Sequence, residues 1–162
     1  MKKILFLHGL ESKGVTKVRH LSTKGLVYAP NMNYIDNPKN IFQETLELVK
    51  ELKPDLIVGS SMGGYFAHKL ATHVKTEVLL FNPATINEWT YYDNLNIETS
   101  CGDVEVSGTV VIGHLDEIVK PGKSIDFYTD YTELNVIEET QMEHRIPSKI
   151  FKKHVNNIIK NK

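Results

Sequence analysis

Three residues set in loops after apolar runs could carry chemistry in this chain: Ser61, Asp116 and His144. Ser61 is the centre of Gly59-Ser60-Ser61-Met62-Gly63, which follows the apolar run Leu56-Ile57-Val58. The helical pattern Gly64-Tyr65-Phe66-Ala67-His68-Lys69-Leu70-Ala71 comes next. A buried strand, a sharp turn and a helix with serine at the apex make a nucleophile elbow. The apical serine must hold a strained backbone conformation, and its surroundings close in so tightly that glycine is needed two positions before and two after. A serine hydroxyl is a poor nucleophile unless a base takes its proton. Histidine does this when a carboxylate fixes its tautomer.

Acid and base candidates lie downstream, in the order serine, acid, histidine. The run Thr109-Val110-Val111-Ile112 ends in Gly113-His114-Leu115-Asp116-Glu117, which puts Asp116 just past a strand end with Glu117 as its nearest competitor. Leu134-Asn135-Val136-Ile137 is the last short strand, and Glu143-His144-Arg145 follows it. Six other histidines are present. His68, His73 and His154 fall within or at the ends of helical segments, and His20 lies in an early amphipathic stretch. His114 is too near the acid in sequence to face it, and His8 belongs to the loop after the first strand. His144 alone follows the last strand. An open parallel sheet places its ligands on loops of this kind.

The elements that must position these residues alternate. Residues 3–7 are apolar without a polar face, as a strand covered on both sides requires. A short helix is expected near residues 16–23, then a strand at Leu26-Val27-Tyr28-Ala29 stopped by Pro30. Asn37-Pro38 opens the clearest helical pattern, with Ile41, Thr45, Leu48, Val49 and Leu52 as one stripe. Further strands are expected at 56–58, 77–81, 109–112 and 134–137, and further helices at 64–71, near 124–131 and from about Pro147. Residues 85–107 are the least regular segment. There, 97–99 and 104–106 flank Ser100-Cys101-Gly102-Asp103 in a pattern that allows a hairpin. Trp89, Tyr91 and Tyr92 either line a pocket or pack that segment onto the body. Strands alternating with helices predict a doubly wound α/β fold in one domain over residues 1–162, with 85–107 as a small cap or hairpin insertion.

Composition narrows the function. The chain has 162 residues and a formal net charge of -1, with two arginines, Arg19 and Arg145, among 19 basic residues. That balance offers no electrostatic case for nucleic acid or an anionic membrane. No stretch approaches the roughly 20 apolar residues of a membrane span, and the apolar run after Met1-Lys2-Lys3 stops at His8, too early for a signal peptide. A cytoplasmic protein is the expectation. Cys101 is the single cysteine, so no internal disulfide can form. The histidines lack paired metal-ligand spacing. The glycine-rich turn also lacks the Lys-Ser/Thr ending of a phosphate loop, so neither a metal nor another cofactor is expected. The lysines at 149, 152, 153, 160 and 162 read as a solvated final helix complementing its own dipole.

Over nearly its whole length the chain resembles the small YqiA-type esterases of the α/β-hydrolase superfamily. Leu7-His8-Gly9-Leu10 with Ser12, Gly59-Ser60-Ser61-Met62-Gly63-Gly64-Tyr65, and Phe81-Asn82-Pro83-Ala84 carry the resemblance. It implies a compact α/β-hydrolase fold with a mostly parallel sheet and helices on both faces, and because the chain is short for the superfamily its cap is expected to be reduced. It also implies Ser61 as nucleophile, Asp116 as acid and His144 as base, acting on a small-molecule ester. Within that scheme the backbone N–H of Met62, and that of Leu10 after the first strand, form the oxyanion hole. The reading from another class is a noncatalytic scaffold of the same fold acting as a binding protein.

Overall fold

The computed structural model describes residues 1–10, 14–84 and 102–160. Six parallel strands, β1 (Lys3–Leu7), β2 (Leu26–Tyr28), β3 (Leu56–Ser60), β4 (Glu77–Phe81), β5 (Ser107–Gly113) and β6 (Asn135–Glu139), form one sheet in the order β2-β1-β3-β4-β5-β6. The helices are α1 (Val15–Leu21), α2 (Ile41–Leu52), α3 (Met62–Ala71), α4 (Pro121–Tyr131) and α5 (Ser148–Lys160).

Period-two alternation splits the sheet's side chains into two cores. Leu5, Leu7, Ile57, Val78, Leu80, Val110 and Ile112 point to the side covered by α2, α3 and α4. Ile4, Phe6, Leu56, Val58, Leu79, Phe81 and Val111 point to the side covered by α1 and α5. Both faces are therefore dry, which is why β1 shows no hydrophobic alternation in sequence. The chain leaves β1 outward to β2 and returns on the other side to β3. The loops after β1 and β3 thus diverge at the point where an open α/β sheet forms its ligand crevice. Registers keep the strand ends level: Leu7 pairs with Gly59, Ser60 with Phe81, Phe81 with Val111, and Gly113 with Glu139.

Several expectations are corrected in detail. α2 begins at Ile41, not at Pro38, because residues 34–40 are turns. Asn37 receives a side-chain hydrogen bond from Asn40 and donates one to Glu44, spending its amide on turn chemistry. The buried stripe of α2 is Ile41, Phe42, Thr45, Leu46, Val49 and Leu52, with Leu48 only half-buried. The first arm of the hairpin expected over 97–106 lies outside the described residues, as do Trp89, Tyr91 and Tyr92. Its second arm, 104–106, is not a strand. The Gly102 N–H donates to Thr72 Oγ1 and the Val104 N–H to the Thr72 carbonyl, so this stretch is tied to the end of α3. The lysines of α5 are spread along it: of those described, only Lys160 stands in the last turn, where a cation complements the dipole.

Candidate active site

The turn between β3 and α3 has the backbone that the glycine spacing demands. Ser61 stands at φ 53 and ψ -122, a conformation that costs a non-glycine residue on the order of 1–3 kcal/mol. A Cβ on Gly59 would lie 2.3 Å from the Gly63 carbonyl oxygen, and one on Gly63 would lie 2.1 Å from that of Leu7. Neither contact is possible with a side chain. The elbow is held open by its neighbours: the Ser61 N–H donates to the Phe81 carbonyl at 3.0 Å, and the Ser61 carbonyl accepts from Gly64, Tyr65 and Ala84. Met62 is the first residue of α3, so its N–H belongs to the unsatisfied first turn of a helix.

Asp116 lies past the end of β5 and is buried, at 4 % exposure. Its Oδ1 accepts the N–H groups of Ile118 and Val119, each at 2.8 Å. Its Oδ2 lies 2.8 Å from His144 Nδ1. A carboxylate can only accept there, so Nδ1 carries a proton, while Nε2, which is a lone-pair acceptor in the neutral ring, lies 3.1 Å from Ser61 Oγ. The three residues singled out from sequence are thus brought into one hydrogen-bonded line, from strand ends 28 and 83 positions apart. Glu117, the competing acid, is exposed. His114 is also exposed and pairs instead with Glu138.

The loop after β1 presses against the serine. A Cβ on Gly9 would meet Ser61 Cβ at 3.2 Å, and Leu10 is the next residue. His8 shapes this loop: Nε2 accepts the Met32 N–H at 3.0 Å, which leaves Nδ1 to donate to the Gly9 carbonyl at 2.7 Å. The Tyr34 hydroxyl donates to the His8 carbonyl. His68 packs on the far side of α3 against Phe127 and Tyr128, and burial, then the Lys69 charge, push its pKa down to about 4. Among the described residues no group of three or more His, Cys, Asp or Glu is placed to hold a metal ion. Nor is any helix among them long and apolar enough to cross a membrane.

Asn82, which the sequence marks only as part of Phe81-Asn82-Pro83-Ala84, belongs to the site as well. Asn82 follows β4 with φ 41 and is buried, at 2 % exposure. Its Nδ2 donates to the carbonyls of Glu143, at 2.9 Å, and His144, at 3.3 Å. Its Oδ1 accepts the Gly113 N–H at 2.8 Å. A single amide therefore ties the loop of the histidine to the strand that delivers the acid. Asparagine directly before a proline at a strand end was the available signal, because Asn tolerates a left-handed backbone better than other residues with side chains.

Solved structures share the fold. A protein of the alpha/beta hydrolase superfamily from Xanthomonas campestris pv. campestris superposes with a TM-score of 0.77 at 16% identity, covering 99% of this chain and 98% of that one. The ydeN gene product of B. subtilis gives 0.73 at 16% identity, with 99% and 98% covered. Est1E from Butyrivibrio proteoclasticus, in a structure with ferulic acid bound, gives 0.74 at 14% identity, with 99% and 87% covered. These likenesses establish the α/β-hydrolase fold. No curated protein matches the chain by sequence. Residues 3–102, which span β1, the elbow and β4, match the model of the uncharacterised protein family UPF0227, in keeping with the YqiA-type resemblance, and the chain belongs to that family.

Proposed function

We propose that this protein is a serine hydrolase that cleaves small carboxylic esters or thioesters through an acyl-enzyme. The observation that carries this reading is the position of His144, within hydrogen-bond distance of both Asp116 and Ser61. His144 Nε2 takes the Ser61 proton as Oγ attacks the ester carbonyl. It then returns that proton to the leaving alcohol or thiol. Asp116 holds the tautomer and stabilises the imidazolium, while the N–H groups of Ile118 and Val119 on its Oδ1 fix the carboxylate's orientation. The oxyanion is stabilised by the N–H groups of Met62 and Leu10, each worth roughly 3–4 kcal/mol in the transition state. Water, activated by the same histidine, then releases the acid.

A fluorophosphonate probe tests the reading, because only an activated serine is phosphonylated quickly. Mass spectrometry of the labelled peptide is expected to place the adduct on Ser61. Label on Ser60, or folded protein that takes none, would sink it and favour a noncatalytic scaffold.

A further inference from the structure

The face covered by α1 and α5 carries a second concave region, a cavity of about 240 Å³ where the two helices begin. Its charged lining is all basic: Lys17, His20, Arg145 and Lys152, with no acid among the described residues around it. Lys17 is half-buried, with Nζ 5.9 Å from the centre of the Phe151 ring. Burial, reinforced by the Arg145 charge, pushes its ammonium pKa down to about 8. His20 Nε2 is buried with no hydrogen-bond partner among the described residues. Burial, then the Lys24 and Lys152 charges, lower the pKa of that ring.

A cation on α5, next to Lys152, shows what a satisfied one looks like here. Lys153 Nζ lies 2.6 Å from Glu139 Oε1. Lys17, by contrast, is partly desolvated beside another cation, which is a net cost to the fold unless something negative completes the site. A planar guanidinium next to an ammonium suits the oxygens of phosphate or carboxylate.

We propose that this cavity binds a small oxyanion, phosphate or carboxylate, held by Lys17, Arg145 and Lys152 with His20 as a further donor. Arg145 directly follows the proposed base His144, so the occupant is either the acid group of an ester substrate or a free anion bound beside the site.

Thermal unfolding of the full chain in inorganic phosphate, against sodium chloride at matched ionic strength, tests the site without requiring activity. Phosphate is expected to raise Tm saturably, by roughly 3–5 °C at ten times its dissociation constant. Lys17→Met should raise Tm without phosphate, since it removes an uncompensated charge, and should abolish the response. Lys152→Gln, on the exposed rim, should weaken phosphate binding roughly three- to tenfold with the fold unchanged. Equal Tm in phosphate and chloride overturns the proposal. So does a Lys17→Met protein that responds like the parent, or one that loses Tm without phosphate, which would mean that the chain supplies its own counter-ion. The source of the anion is read from hydrolysis, the arm that rests on the proposed esterase activity. If the site receives substrate, a p-nitrophenyl half-ester of succinate is preferred over the acetate by about tenfold, one charge-assisted contact, and phosphate erases the preference. If both esters react alike while the Tm response stands, the ligand is a free anion.

Discussion

Two adjacent strands, β3 and β4, end in the same kind of turn and put it to opposite uses. Both turns place a residue with a side chain at positive φ, Ser61 at 53 and Asn82 at 41. At the first, backbone crowds the flanking Gly59 and Gly63, and the hydroxyl lies within hydrogen-bond distance of His144. The second faces inward and spends its whole amide on the Gly113, Glu143 and His144 backbone. Strain at one strand end presents the Ser61 hydroxyl. The amide at the next ties down the loop of His144 and the end of β5, the partners that the proposed triad must hold to within a fraction of an ångström.

Substitutions can break that contrast, and the largest effect belongs to the presenting turn. Ser61→Ala should lower kcat for a short p-nitrophenyl ester by about 10⁶, to the residue left by binding and the oxyanion donors, while calorimetry finds a Tm no lower than the parent's. A variant that keeps a tenth of the activity would place the nucleophile elsewhere. Asp116→Asn should cost on the order of 10⁴ in kcat by leaving His144 in the wrong tautomer. The fold is expected to survive, because the amide oxygen can still accept from Ile118 and Val119. Glu117→Gln is its control and should be nearly silent, since that side chain is exposed.

Effects at the anchoring turn should be smaller and of a different kind. Asn82→Gly relieves the positive φ but deletes the amide. A 10- to 100-fold fall in kcat with KM little changed is expected, because the base and acid drift while the substrate surface stays. If kcat holds and only Tm drops, the amide is a structural tie and nothing more. The smallest effect lies on α3, the helix that the first turn launches. His68 is held neutral, with its folded pKa about 4 against 6.5 in the open chain. The unfolded chain therefore binds this proton more readily. Its stability contribution is intact above pH 6.5 and is lost progressively as pH falls toward 4. His68→Leu should flatten the Tm–pH profile in that window, and an unaltered slope would assign the acid sensitivity to other groups.

The elbow was legible because its requirements are local. Gly59 and Gly63 are demanded by contacts within a few residues of Ser61 and across to the neighbouring β1, so type and spacing alone announce the turn. Strand and helix order was equally legible, since parallel strands dry on both faces read as bare apolar runs. The start of α2 was missed by three residues, where asparagine side chains compete for the backbone in a way that periodicity does not register.

The burial of Asp116 beside an exposed Glu117 needed the full sheet. β5 extends to Gly113, where a side chain could not fit because the Met142 carbonyl oxygen would stand 2.3 Å from its Cβ. That approach brings the loops of acid and histidine together. Asn82 could not be read as an anchor in advance, because its three partners come from the end of β5 and from the loop after β6, 31 to 62 positions away. The basic cavity likewise joins residues 17 and 20 to 145 and 152, which meet only when α1 and α5 share one face of the sheet. Sequence by itself determined the alternation of strands and helices, the strained turn and the candidate serine, acid and histidine in order, since each follows from short-range sterics or from the period of burial. Tertiary structure alone decided how close those candidates come, that Asn82 anchors their loops and which cations become neighbours, because packing sets those distances and the one-dimensional pattern does not encode them.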